Sequence, residues 1–230
     1  NHDLSLNDDI TMEAWIYLDP FTLETTQDII TKGGNYSLQA ITDTNGMFKI
    51  QTTDSVGSTN TDYKFQSNRW YHVASSIDTV TGFHSVYVNG YLDYTEEVAT
   101  LEGNIQTTNT DDLYVGQNFI GDIAEVRVWD SVRTSSEVLE HMGAILGTED
   151  ELMTHLKFNR ISFDTDTAID ATEHRHHGEI VGASRIFDIR TDLDEDSSLT
   201  IEGININDID ITDDASLDLE VNVSVTHGTL

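Results

Sequence analysis

Acidic side chains near the end of the sequence are the first that could do chemistry. Asp192, Asp194 and Asp196 alternate with Leu193 and Glu195, and Asp208, Asp210, Asp213 and Asp214 follow one strand later. Calcium takes about six to eight oxygen ligands, largely carboxylate and carbonyl. Two acidic clusters joined by a short strand can bring several oxygens to one junction, where the ion would neutralise them and lock the chain. A solvated acidic linker, extended by its own repulsion, has the same spacing. Spacing alone leaves both readings open. His174, His176 and His177, close to Asp170, carry imidazoles of the kind that bind zinc or copper. Because adjacent residues diverge on a strand, a polar loop ahead of a strand is the simpler expectation for them. For glycoside hydrolysis two carboxylates must sit at a defined separation. Glu125 with Glu13, or Asp122 with Asp130, could meet in space, but scattered surface acids are the plainer expectation. There is no Gly-x-Ser-x-Gly elbow, phosphate loop or dinucleotide fingerprint. The chain has no cysteine, which removes thiol nucleophiles, thiolate metal sites and disulfides.

Binding is better served. Loops rich in Asn, Asp, Thr and aromatics offer fixed hydrogen-bond groups beside an apolar platform, as sugar hydroxyls and peptide groups require. The candidates are Asn35 and Tyr36, Asp43 and Asn45, Tyr63, Asp111, and Gln117 with Asn118. Tyr36, Tyr63, Tyr91 and Phe119 lie close to turns and are the aromatic candidates for contact.

The elements that must position these groups are strands. Ile10, Met12, Ala14, Ile16 and Leu18 share one parity while Thr11, Glu13 and Asp19 take the other, which is the period of a half-buried strand. Similar runs follow at 29–30, 36–40, 47–51, 70–77, 84–88, 112–115 and 122–129. Gly33-Gly34-Asn35, Asn45-Gly46 and Asn89-Gly90 separate some of them, and Asn-Gly supplies the positive φ angles of a tight hairpin. Many short strands joined by hairpin turns predict an antiparallel sandwich or jelly roll. Residues 135–142 change period and predict a short helix, capped by Thr134 or Ser135 with Glu137 in its first turn.

The 230 residues hold 42 Asp plus Glu against 11 Lys plus Arg, a formal net charge of −31. Charge of that sign repels phosphate and anionic lipid, so nucleic-acid binding and membrane attachment are not expected. No apolar run has the length of a membrane span. The chain is 37% hydrophobic, enough for a real core. Aromatic residues stop near Ile189, and residues 190–230 hold 11 of the 42 acids. The boundary is therefore placed near 189–192, with the remaining segment the opening of a further domain, and the whole reads as a piece of a longer chain.

Five segments carry a resemblance. Ile10-Thr11-Met12-Glu13-Ala14-Trp15-Ile16, Trp70-Tyr71-His72-Val73-Ala74 and Val86-Tyr87-Val88-Asn89-Gly90 resemble strands of laminin-G-like, concanavalin-type and pentraxin-like jelly rolls. So do Gly121 to Asp130, and Leu152 to Phe158 followed by Asp170 to Gly182. Together they span about residues 4–187 and imply that Trp15, Trp70 and Trp129 are core aromatics. They also imply that Asp170 ties its loop or helps hold a cation, and that residues 152–182 close the same jelly roll near the N-terminal strand. The Glu-x-Asp-x-Glu strand of jelly-roll glucanases is missing. So is the acidic loop that follows Gly-Gln in pentraxin-like relatives, and Ala124 stands where the family commonly has Asp. Asp192 to Asp210 and His227 to Leu230 resemble the start of cadherin-like repeats of giant bacterial RTX-type adhesins, which implies calcium at the junction.

The combined expectation is an all-β jelly-roll β-sandwich over 1–189 with one short helix, then a linker and partial cadherin-like repeat over 190–230. The resemblance implies a non-enzymatic, monomeric, extracellular binding module of a bacterial surface adhesin, in settings such as biofilm. Its ligand would be a glycan or protein on a host or neighbouring cell, carbohydrate first, with Ca2+ stiffening the junction to adjacent domains. A ligand-free spacer and a glycoside hydrolase are the rivals.

Overall fold

A computed structural model describes residues 4, 9–20, 25–42, 47–54, 57–98, 111–143, 145, 147–158 and 167–183, all within one compact unit, Asn1–Phe187. In chain order the strands are β1 (Ile10–Leu18), β2 (Thr25–Lys32), β3 (Tyr36–Thr42), β4 (Met47–Asp54), β5 (Ser58–Asn60), β6 (Phe65–Gln66), β7 (Trp70–Ile77), β8 (Phe83–Val88), β9 (Tyr91–Glu97), β10 (Leu113–Val115), β11 (Gly121–Trp129), β12 (Leu152–Leu156), β13 (Thr167–Ala168) and β14 (Gly178–Glu179). Helix α1 (Ser135–His141) stands between β11 and β12. One sheet has the order β12-β11-β1-β7-β8-β9; the other runs β10-β2-β3-β4-β5 with β6 against β4, and β13 pairs with β14. The pairings are antiparallel, and the fold is the expected jelly-roll sandwich.

Alternation decides the layers. Ile10, Met12, Ala14, Ile16 and Leu18 of β1 turn inward to meet Leu38, Ala40, Phe48 and Ile50 from the opposite sheet. Each fully buried Ile or Leu stabilises the fold by about 1.5–3 kcal/mol. At the β8–β9 hairpin Asn89 and Gly90 have φ of 50° and 81°, as its two-residue turn requires. Its position is fixed further by the Asn89 side-chain oxygen, which accepts the His72 N–H at 3.0 Å.

β12 joins the first sheet through β11. β1 is already flanked by β11 and β7, so the open edge of β11 is where a closing strand can pair. The opposite parity of β1 and β7 faces outward and is roofed by α1 and its following loop. There Val138 packs on Ala74 and Tyr87, while Trp129 packs with Ile145 and Leu152. The tryptophans belong to this outer face rather than to the core between the sheets. Trp129 is fully buried beneath the roof, Trp15 donates from Nε1 to the Met142 carbonyl at 2.8 Å, and half-buried Trp70 packs on Tyr17. Trp15 pairs with His72 and Tyr17 with Trp70, which places all four on the face away from Ile16.

Candidate functional site

The loop candidates do not converge. Asn35, Tyr36 and Asp111 meet at one end of the second sheet, around the β2–β3 turn. An added Cβ at Gly33 would lie 2.1 Å from Asp111 Oδ2, so glycine lets the Asp111 side chain pack on the turn. Lys32 Nζ donates to the Asp111 carbonyl at 2.5 Å, and burial lowers the Lys32 pKa against the raising effect of Asp111 and Asp112. Tyr36 is not a contact residue: it is 2% exposed, and its hydroxyl donates to the Leu4 carbonyl at 2.8 Å. It starts β3 on the inward parity, and burial pushes its phenol pKa well up.

Gln117 and Asn118 lie in the turn between β10 and β11, where the Gln117 carbonyl accepts the Asp28 N–H at 3.0 Å and Asn118 has φ 57°. Phe119 beside them packs on the core. Tyr63 is elsewhere, before β6, half exposed, with its ring edge-on to Phe65 and its N–H donating to Asp93 Oδ2 at 3.1 Å. Asp43 and Asn45 fall outside the described residues.

A surface outside all of these loops is the outer face of the second sheet. Register places Tyr114, Thr31, Ser37, Thr53 and Ser58 side by side across five strands. The next row is Asp28, Gln39, Gln51 and Asn60, and beyond it stand Thr26, Ile41 and Lys49. Leu38, Ala40, Phe48 and Ile50 on the other parity are buried, which locks the backbone under these rows. Gln39 Nε2 donates to Asp28 Oδ1 at 2.5 Å, fixing the amide orientation. One carboxylate and one ammonium, Asp28 and Lys49, cancel on a face otherwise made of hydroxyls, amides, Ile41, Met47 and Tyr114, which is 47% exposed. In a chain of net charge −31 such a neutral face is unusual. The signal was present in the sequence, in the polar parity of residues 26–31, 37–41 and 49–53. Where those rows reach the β2–β3 turn there is a pocket of about 70 Å3 lined by Thr31, Asn35, Ser37, Thr53 and Asp54 among others.

Glu13 and Glu125 do meet, through a cation; Glu13 is fully buried and Glu125 is half-buried. Glu13 is 0% exposed, with Oε2 3.0 Å from His72 Nε2 and 3.8 Å from Arg127 Nη1, and its Oε1 accepts the Trp129 indole N–H. Arg127 Nη2 lies 3.1 Å from Glu125 Oε2, which is also 2.6 Å from His155 Nε2. The guanidinium donates to the His141 and Gly143 carbonyls at 2.6 and 2.7 Å, tying the roof to the sheet. Burial pushes both glutamate pKa values up, but the imidazoles, Arg127 and, for Glu13, the Trp129 N–H outweigh it and hold both below the ordinary carboxyl value.

Asp170 ties its loop. Oδ1 accepts the His155 and Thr172 N–H groups at 2.8 and 3.0 Å, and Oδ2 accepts the Thr172 hydroxyl and His176 N–H, each at 2.8 Å. Four donors occupy the acceptor positions a cation would need. Burial raises its pKa, and these hydrogen bonds more than reverse the shift. His177 Nδ1 accepts the Asp170 N–H, and His176 Nδ1 faces the Met153 carbonyl at 2.9 Å. Among the described residues no group of three or more His, Asp or Glu is placed to hold a metal. Asp192, Asp194, Asp196, Asp208, Asp210, Asp213 and Asp214 lie outside the described residues.

Comparison with known proteins gives a family and a fold. The family model described as the concanavalin A-like lectin/glucanases superfamily, Laminin_G_3, matches residues 1–139. No curated protein sequence matches the chain. Among solved structures, a candidate carbohydrate-binding protein from Bacteroides ovatus superposes with a TM-score of 0.63 at 23% identity, over 75% of this chain and 52% of that one. The chain thus spans about half of that protein. Domain 4 of the extracellular arabinanase AbnA from Geobacillus stearothermophilus, solved with arabinotriose, gives a TM-score of 0.42 at 22% identity, over 58% and 66% of the two chains. The match covers more than half of the sequence and coincides with the sandwich described above, so the chain belongs to the concanavalin A-like lectin/glucanases superfamily.

Proposed function

We propose that this chain is a non-catalytic carbohydrate-binding module and that its binding surface is the outer face of the second sheet. The carrying observation is the neutral platform of rows Tyr114–Thr31–Ser37–Thr53–Ser58 and Asp28–Gln39–Gln51–Asn60. Hydroxyls and amides on a rigid pleat match the alternating donors and acceptors of a sugar edge, and Tyr114 offers an apolar ring face. Against catalysis, a general acid needs a raised pKa, whereas Glu13 and Glu125 are both held low. Glycan-array screening followed by calorimetry tests the reading. Gln51→Ala and Tyr114→Ala are each expected to weaken the selected saccharide about tenfold, the loss of one hydrogen bond or stacking contact, with unchanged melting. Release of reducing sugar would instead favour a hydrolase, and silence on the array a spacer.

The wider setting we propose is a bacterial surface adhesin that engages glycans on another cell, with calcium stiffening the junction that follows residue 189. The support is the run of acids over 192–196 and 208–214 and its resemblance to adhesin repeats. A melting curve with chelator and then with millimolar calcium tests it. A raised midpoint with bound calcium by calorimetry is expected; no shift and no binding would remove calcium from the account.

A further inference from the structure

We infer that Asp28 is a positioning residue of this platform: it holds Gln39 as a hydrogen-bond acceptor, so that a saccharide lying there must present a free hydroxyl rather than an ether or an anionic group. The inference rests on the carbohydrate reading above and adds to it a residue pair and the ligand group that the pair selects.

The direction of the amide follows from chemistry. Gln39 Nε2 donates to Asp28 Oδ1 at 2.5 Å. A carboxylate accepts and does not donate, so the amide nitrogen is the end that must face it. Oε1 diverges from Nε2 at the same carbon and is the end left for a ligand. An amide free to turn offers either a donor or an acceptor, whereas Gln39 is committed to offering an acceptor. Gln51 and Asn60 continue the row on β4 and β5. Among the described residues their side chains make no such bond, so one amide of the row is oriented in advance and two adapt.

A backbone irregularity puts Asp28 in place. Asp28 and Thr31 are of opposite parity, and in an unbroken strand they would face opposite sides. The register of β2 against β3 shifts between Asp28 and Ile30, and Ile29 and Ile30 are both fully buried. The extra residue keeps Asp28 and Thr31 on one face, as bulges that re-aim a side chain do. The Asp28 N–H donates to the Gln117 carbonyl at 3.0 Å, which anchors the backbone there. Asp28 and Gln39 are each half-buried, and Leu38 and Ala40 on either side of Gln39 are held in the core.

Charge sharpens the choice. An anionic substituent brought to Gln39 meets a carbonyl oxygen and the neighbouring carboxylate, two acceptors with no proton to share. An ether oxygen meets the same lack of a donor. A hydroxyl donates to Oε1 and suffers neither penalty. Lys49, the ammonium of this face, stands in the next row opposite Ile41.

Calorimetric titration of the whole 230-residue chain tests this, with gluco-, galacto- and manno-configured oligosaccharides, their mono-O-methyl ethers, and sulfated and 2-amino counterparts. With the unsubstituted chain, the best-binding neutral sugar is expected to lose about tenfold on methylation of one particular hydroxyl, as for one lost hydrogen bond. Asp28→Asn frees the Gln39 amide to turn, because asparagine can donate as well as accept. The ratio of parent to ether should then fall from about tenfold to about one, a coupling that a purely structural role would not produce. Gln39→Met repeats the test if Asp28→Asn does not fold: it should weaken the parent sugar about tenfold and leave the ether unchanged. An unchanged ratio in Asp28→Asn, or a parent sugar that loses nothing on methylation of any hydroxyl, would overturn the positioning role. If Gln51→Ala still weakened that sugar, the platform would stand. Tighter binding of the sulfated or 2-amino sugars than of the neutral parent would overturn the selection of a hydroxyl. Failure of every saccharide to bind the unsubstituted chain would overturn platform and positioning role together.

Discussion

Arg127 is fully buried between two carboxylates, and its bonds to the His141 and Gly143 carbonyls hold the roof of the first sheet in place. Taking these charges out of water is costly, and the cost is met only while every partner is present. Arg127→Leu should therefore destabilise the chain by about 3–5 kcal/mol, because Glu13 and Glu125 would be left near no permanent cation. Urea titration checks this: a lower midpoint with an unchanged slope is expected, and an unchanged midpoint would show the cluster to be dispensable. Glu13 and Arg127 are buried against ion-pair partners and belong to the fold.

Helix α1 is short, and its capping does much of the work of defining it. Thr134 Oγ1 accepts the Glu137 N–H at 3.4 Å while Glu137 Oε2 accepts the Thr134 N–H at 2.7 Å, a reciprocal box. The Thr134 backbone bond, followed by its side-chain bond, holds the exposed Glu137 carboxyl pKa low. Thr134→Ala should cost about 1 kcal/mol, read as a lower denaturation midpoint and faster amide exchange over residues 135–142. This element was legible because caps are local chemistry. The bulge in β11 was not. Glu125 has φ 51°, and the register against β1 shifts between Glu13 and Trp15. The extra residue allows Glu125 to reach Arg127 while Ile123 packs against the core. Nothing in the local spacing distinguishes that residue from its neighbours, because the bulge is set by pairing with a strand more than a hundred positions earlier.

At the scale of the whole molecule, three buried or half-buried carboxyls, Glu13, Glu125 and Asp170, bind protons more weakly in the folded chain than in the unfolded one. Their contribution to stability is present in full above the unfolded carboxyl value of about 4 and is lost as pH falls through their lowered folded values. Urea midpoints measured from pH 6 downwards should hold until that region and then drop, with a smaller drop in Glu13→Gln. An equal drop in both proteins would assign acid sensitivity to other groups. The same scale explains the platform: acids dominate the composition, yet the outer face of the second sheet balances to neutrality. Such a face neither attracts nor repels by charge, and selects ligands by hydrogen bonds and shape.

Period-two alternation in residues 10–18, the Asn89-Gly90 turn and a cap at Thr134 or Ser135 were enough by themselves to predict an antiparallel sandwich with one short helix. These are signals carried by neighbouring residues, and the physics behind them is local. Tertiary structure alone decided the rest. It buried Tyr36, moved the tryptophans to an outer face beneath α1, and turned Asp170 into a loop tie by surrounding it with four donors. It also scattered the loop candidates and gathered residues from β10, β2, β3, β4 and β5 into one polar surface. The reason is that parity in a sequence says which residues share a side of one strand, while only the pairing of strands says which sides meet, which are roofed, and which are left open to a ligand.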